Sequence, residues 1–119
     1  PELNVVETEV AIDKFPESFP TEIPIEKDAK ITQNYNATTD DGRFQATRTF
    51  ETKYSLDANF KVYQDYFAKN EWTVTYITNE KDLKVISVIK GDDRVKVSMN
   101  YNPFLKINTV EITLMQVRK

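Results

Sequence analysis

Apolar residues fall at every second position over several stretches of this chain, and each such stretch predicts a strand. Over Arg43–Lys53, Phe44, Ala46 and Phe50 share one side and Gln45, Thr47 and Thr49 the other, with Arg48 interrupting the apolar side. Lys30–Asn36 reads as a strand carrying Ile31 and Tyr35, joined to the next by a Thr38–Gly42 turn that ends in Asp-Asp-Gly. Arg94–Tyr101 places Val95, Val97, Met99 and Tyr101 on one face, and Ile107–Val117 does the same with Val110, Ile112 and Leu114. Trp72–Thr78 reads as a strand with Trp72, Val74 and Tyr76 inward, and Leu83–Lys90 as one with Leu83, Val85 and Ile89 inward.

The period changes once. Phe60, Tyr63 and Phe67 stand at i, i+3 and i+7, with Val62 and Tyr66 beside them. That spacing predicts a helix with one aromatic stripe, capped by Ser55 or Asp57 and running to about Asn70. Residues 15–25 contain Pro16, Pro20 and Pro24, which rule out a helix or a central strand. Phe15, Phe19, Ile23 and Ile25 among those prolines predict an extended segment laid across a core. Residues 1–14 alternate weakly through Val5, Val6, Val10 and Ile12 and read as an acidic N-terminal arm or an edge strand. The expectation is one α+β domain over 15–119, with a single antiparallel sheet in the order β-β-α-β-β-β-β curved around one helix.

With 119 residues and 39% hydrophobic content, one core is affordable without covalent staples. The chain has no cysteine and no histidine. Thiol nucleophiles, zinc fingers and iron–sulfur clusters are thereby excluded, and the commonest general base is missing. Two glycines, Gly42 and Gly91, cannot build a phosphate-cradling loop. Asp40-Asp41 and Asp92-Asp93 sit beside those glycines and read as turn chemistry rather than metal ligands. No cofactor and no enzymatic activity are expected. A net charge of −3 argues against generic nucleic-acid binding, and the aromatics fall on inward faces rather than on a stacking platform. The charge is uneven: residues 1–60 carry 12 acids and 6 bases, residues 61–119 carry 7 acids and 10 bases.

The bases concentrate on one predicted surface. A three-residue loop at Gly91–Asp93 pairs Lys90 with Arg94 and Val88 with Lys96. The outer face of that hairpin then shows Ile86 and Val88 among Lys84, Lys90, Arg94 and Lys96, with Met115 and Val117 pointing the same way. This face is a candidate for docking a protein partner, or for coverage by the acidic arm. Phe104, in Asn102-Pro103-Phe104-Leu105, is the best single candidate for an exposed apolar loop residue. A second candidate is a small-molecule pocket between helix and sheet near Arg48, Tyr63 and Tyr76.

Phe19-Pro20-x-x-Ile23-Pro24-Ile25, followed by Ala29-Lys30-Ile31, resembles the opening of a group of small bacterial extracytoplasmic domains of the lipoprotein type. Those continue with a Gly-containing hairpin, a Thr-rich strand, a helix carrying Tyr and Phe, and a strand that begins at Trp. Gly42, Thr47–Thr52, Tyr63, Phe67 and Trp72-Thr73-Val74 stand in the corresponding places. Glu26-Lys27-Asp28 replaces a Tyr-Pro turn, and Glu71 stands where a glycine usually precedes the Trp. The resemblance covers about residues 15–117 and implies a location in the cell envelope, periplasmic or surface-exposed. It implies membrane association only through an upstream anchor, and it assigns no activity. The start at Pro1 fits a fragment or a processed product. Asn36-Ala37-Thr38 fits a glycosylation acceptor in a host that uses one.

Overall fold

A computed structural model describes residues 4–118. It contains β1 (Val5–Glu9), β2 (Lys30–Thr39), β3 (Arg43–Thr52), α1 (Leu56–Lys69), β4 (Thr73–Asn79), β5 (Leu83–Lys90), β6 (Asp93–Asn102) and β7 (Ile107–Val117). All seven strands form one antiparallel sheet, in the spatial order β1-β2-β3-β7-β6-β5-β4. The α+β class and the single sheet follow the sequence reading. The element order does not: Val5–Glu9 pairs with β2 as an edge strand, so the order is β-β-β-α-β-β-β-β.

One face of the sheet carries the core. Phe44, Ala46 and Phe50 of β3, Val110, Ile112 and Leu114 of β7, and Val95, Val97 and Met99 of β6 are all buried there, as alternation predicts. Helix α1 lies over β4, β5 and β6 and buries Leu56, Phe60, Tyr63 and Phe67. Ser55 caps its start by accepting from the Ala58 N–H at 3.0 Å. The helix ends in a left-handed residue, Glu71 at φ 65, which lets the Trp72 N–H reach the Phe67 carbonyl at 3.0 Å. The proline-rich segment covers the rest of the core, with Phe19 and Ile23 buried. Tyr63 Oη donates to the Pro24 carbonyl at 2.7 Å and ties that segment to the helix.

Two expectations of facing are overturned. Lys90 pairs with Asp93, so the β5–β6 turn holds two residues rather than three, with Gly91 at φ 61. Adding or removing one residue in a hairpin loop turns a whole strand over. Lys84, Ile86 and Val88 therefore face the helix, opposite Met99, Val97 and Val95. Leu83, Val85, Ser87 and Ile89 take the outer face. In β4 a bulge between Val74 and Tyr76 shifts the register. Val74 stays on the helix side opposite Val88, but Tyr76 lies opposite Ser87 on the outer face.

Candidate functional site

The predicted docking surface divides into buried and exposed members. Ile86 is 0% and Val88 1% exposed; both belong to the core and present nothing to a partner. Lys84 is buried beneath the helix, its Nζ 5.8 Å from the Phe60 ring centre and bonded to Asn79 Oδ1 at 2.6 Å and the Glu80 carbonyl at 3.0 Å. Lys90 closes the other end of the helix: its Nζ donates to the Asn70 carbonyl at 2.9 Å and lies 5.8 Å from the Trp72 ring centre. Arg94 and Lys96 are exposed on the outer face, as expected. Met115 pairs with Arg94, so it and Val117 share that face.

These outer residues border a shallow cleft of about 520 Å³ beside the β5–β6 turn, lined by Gly91, Asp92, Arg94, Met115, Gln116 and Val117. Gln116 Nε2 donates to Asp93 Oδ1 at 2.7 Å and holds the turn against β7. Deeper in this face, Thr47 and Thr113 hydroxyls meet at 3.2 Å across β3 and β7. The cleft escaped the sequence reading because it depends on the turn length. Its signal was the outward parity of Met115 and Val117.

The predicted helix–sheet pocket is not assembled. Tyr63 is 1% exposed and fills the interface itself, while Tyr76 lies on the opposite face of the sheet. Burial is the larger cause of a raised Tyr63 pKa, and the Glu26 carboxylate adds to it. Arg48 is buried on the core side of β3, away from helix contact. It donates from Nη1 to the Lys14 carbonyl at 2.5 Å and from Nη2 to the Ile12 carbonyl at 3.0 Å. Its guanidinium sits 4.6 Å from the Phe15 ring centre, and burial lowers its pKa. Asn34 Nδ2 binds the same loop, at the Ala11 carbonyl (2.8 Å) and the Lys14 carbonyl (2.7 Å). Arg48 also lines a cleft of about 510 Å³ with Ile12, Ile25, Glu26 and Ile31.

At the far end of the sheet, Phe104 is 93% exposed, and Leu105 and Tyr54 are exposed near it. Asn102 Oδ1 accepts from the N–H groups of Phe104 (2.9 Å) and Leu105 (3.1 Å), which fixes the loop that carries them. Among the described residues, no group of three or more acidic side chains is placed to hold a metal ion, and no helix is long and apolar enough to cross a membrane.

These features define an α+β domain whose antiparallel sheet packs its core on one face. Compared with known proteins, the chain matches no family model, no curated protein and no solved structure.

Proposed function

We propose that this chain is a non-enzymatic, envelope-associated domain that binds another protein or serves in an assembly. The observation that carries the reading is the outer-face cleft, where Arg94 stands beside Met115 and Val117 on the side of the sheet away from the core. Apolar side chains next to the exposed Arg94 suit a partner with an apolar anchor and an acidic neighbour. The filled helix–sheet interface supports the same reading, since it leaves no interior room for a substrate. The envelope location rests on the sequence resemblance over residues 15–117.

The test is affinity capture from a native envelope extract with wild type and an Arg94→Glu/Met115→Glu variant of unchanged melting temperature. A partner held by wild type and lost by the variant supports the reading. A partner held equally by both removes the cleft from it. Fractionation of cells producing the full-length gene product tests the location, and recovery in the cytoplasm overturns that part.

A second reading, small-molecule binding, is favoured by the cleft at Arg48. Ile12, Ile25 and Ile31 among the charged groups of Arg48, Lys30, Asp13, Glu26 and Asp28 suit a small apolar ligand with a polar head. A thermal-shift screen with wild type and Arg48→Met tests it. A ligand that raises the melting temperature of wild type alone supports this reading, and no shift by any ligand removes it.

A further inference from the structure

We propose that the outer face of the sheet closes on a second copy of this chain, about a two-fold axis that runs along β3. The proposal rests on the protein-binding reading, since Arg94 and Met115 of that cleft lie on this face, and it names the partner.

The support comes from the register. Residues directly opposite in neighbouring strands share a face, so the pairings string the outer side chains into rows across the sheet. One row runs Glu7, Ala37, Gln45, Met115, Arg94 through β1, β2, β3, β7 and β6. The next runs Glu9, Tyr35, Thr47, Thr113, Lys96 through the same strands. Each row starts with a carboxylate, ends with a base and has β3 at its middle. Strands are evenly spaced, so a two-fold along β3 lays β1 over the copy's β6 and β2 over its β7. Glu7 then meets Arg94 of the second copy and Glu9 meets its Lys96. Between them Ala37 meets Met115, and Tyr35 meets Thr113. A third row, Gln33, Thr49, Glu111, sets the Gln33 amide against Glu111 of the copy. Gln33 Oε1 accepts from the Thr49 hydroxyl at 3.2 Å, so Nε2 is the donor for that carboxylate.

The remaining strand charges on this face are balanced within their own chain. Lys30 pairs with Glu51 at 3.3 Å and Arg43 with Asp41 at 3.0 Å. Asp92 borders the Arg94 cleft from the β5–β6 turn but makes no ion pair with it. Glu7, Glu9, Arg94 and Lys96 are all exposed, and none of them has an ion-pair partner among the described residues. On the axis, the uncharged Gln45, Thr47 and Thr49 meet their own counterparts. A two-fold across the strands would instead set β1 on β1, carboxylate on carboxylate. A pattern that matches its own image is what a two-fold contact requires, and a foreign partner requires no such symmetry. Five strands about 4.8 Å apart and three rows about 7 Å apart span roughly 500 Å² on each copy. The total of about 1,000 Å² stands at the lower end of specific interfaces, so the dimer is weak and salt-sensitive.

The test is sedimentation equilibrium of the full chain at low and high salt. Wild type is expected to dimerise in the micromolar range and to weaken roughly tenfold on added salt. Glu7→Lys/Glu9→Lys and Arg94→Glu/Lys96→Glu each oppose like charges at both contacts and are expected to lose roughly tenfold or more in association. Mixed one to one, the two variants regain opposite charges at both contacts and associate again. All four positions are exposed, so unchanged thermal melts confirm folding. Position is read by cross-linking, because the chain has no cysteine of its own. Gln45→Cys on the axis is expected to link to its copy through a short bismaleimide, the two sheets lying about 10 Å apart. Tyr76→Cys, on β4, lies roughly 40 Å from its copy and is not linked. A wild type that stays monomeric at millimolar concentration overturns the proposal. So does a variant mixture that stays monomeric, or linking of Tyr76→Cys in preference to Gln45→Cys. The protein-binding reading fails separately, when the envelope extract yields no partner lost by Arg94→Glu/Met115→Glu.

Discussion

Lys84 Nζ stands 3.0 Å from Asp57 Oδ1, joining the start of β5 to the first turn of α1. The two partners are unequal. Lys84 is buried with three oxygen acceptors around it, whereas the Asp57 side chain is 89% exposed and stays solvated. Lys84→Ala therefore removes three hydrogen bonds at a buried position and empties the space under Phe60, at about 2–3 kcal/mol. Asp57→Asn removes only a screened charge and costs less than about 1 kcal/mol. Urea unfolding of the two variants measures the difference, and equal effects would refute this division of roles.

Gly42 and Gly91 both adopt positive φ, at 88° and 61°, but their surroundings differ. A Cβ on Gly42 would overlap the Arg118 carbonyl, while a Cβ on Gly91 meets nothing. The Arg118 N–H also donates to the Gly42 carbonyl at 2.6 Å, so the strand ends cannot separate freely. Gly42→Ala is expected to cost more than about 2 kcal/mol, and Gly91→Ala about 1 kcal/mol from backbone strain alone. Thermal unfolding of the pair ranks them.

Glu71 holds the left-handed position after the helix, the place where glycine is conformationally free. Glu71→Gly is expected to stabilise the domain by about 0.5–1 kcal/mol, provided Trp72 keeps its edge contact on Phe67, with ring centres 5.8 Å apart. A rise in melting temperature with unchanged near-ultraviolet circular dichroism confirms it.

The Tyr63 phenol is held neutral by burial and by Glu26, so its folded pKa lies above the unfolded value of about 10. Its contribution is fully present below that unfolded value. Above pH of about 10 the unfolded chain gives up this proton and the folded one keeps it. Stability then falls by about 1.4 kcal/mol per pH unit until the folded pKa is passed. Tyr63→Phe loses the bond to Pro24, costing about 1 kcal/mol at neutral pH, but flattens the alkaline decline. Urea titrations on either side of pH 10 distinguish the slopes.

The helix and the strands β3, β6 and β7 were legible in the sequence because the central residues of each carry apolar side chains at one spacing, three in β7 at Val110, Ile112 and Leu114. β5 was not. Val85, Ile86, Val88 and Ile89 are apolar at both parities, so either face satisfies the pattern and a single turn residue decides. The same ambiguity misplaced Ile86 and Val88 as binding residues and hid the cleft at Met115. Tyr76 was turned around by a bulge, which leaves no mark in a run of Thr, Val, Tyr and Ile. Phe104 was legible because a proline and an asparagine exclude its loop from the sheet. Arg48 stood out as the polar intruder on an apolar face, and its partners proved to be carbonyls of residues far upstream.

The strand that comes last in this sequence, β7, lies in the middle of the sheet, between β3 and β6. Until it arrives, the β1–β3 ribbon and the β4–β6 ribbon share no hydrogen-bonded neighbour. Each then has a free edge and an apolar face. During synthesis the core is therefore unable to close while residues 107–117 remain inside the ribosome. Such a chain stays open until residues 107–117 have emerged, then closes through contacts between residues far apart in sequence, a slow route. Until closure, the edges of β3 and β6 are unpaired and open to pairing with other chains.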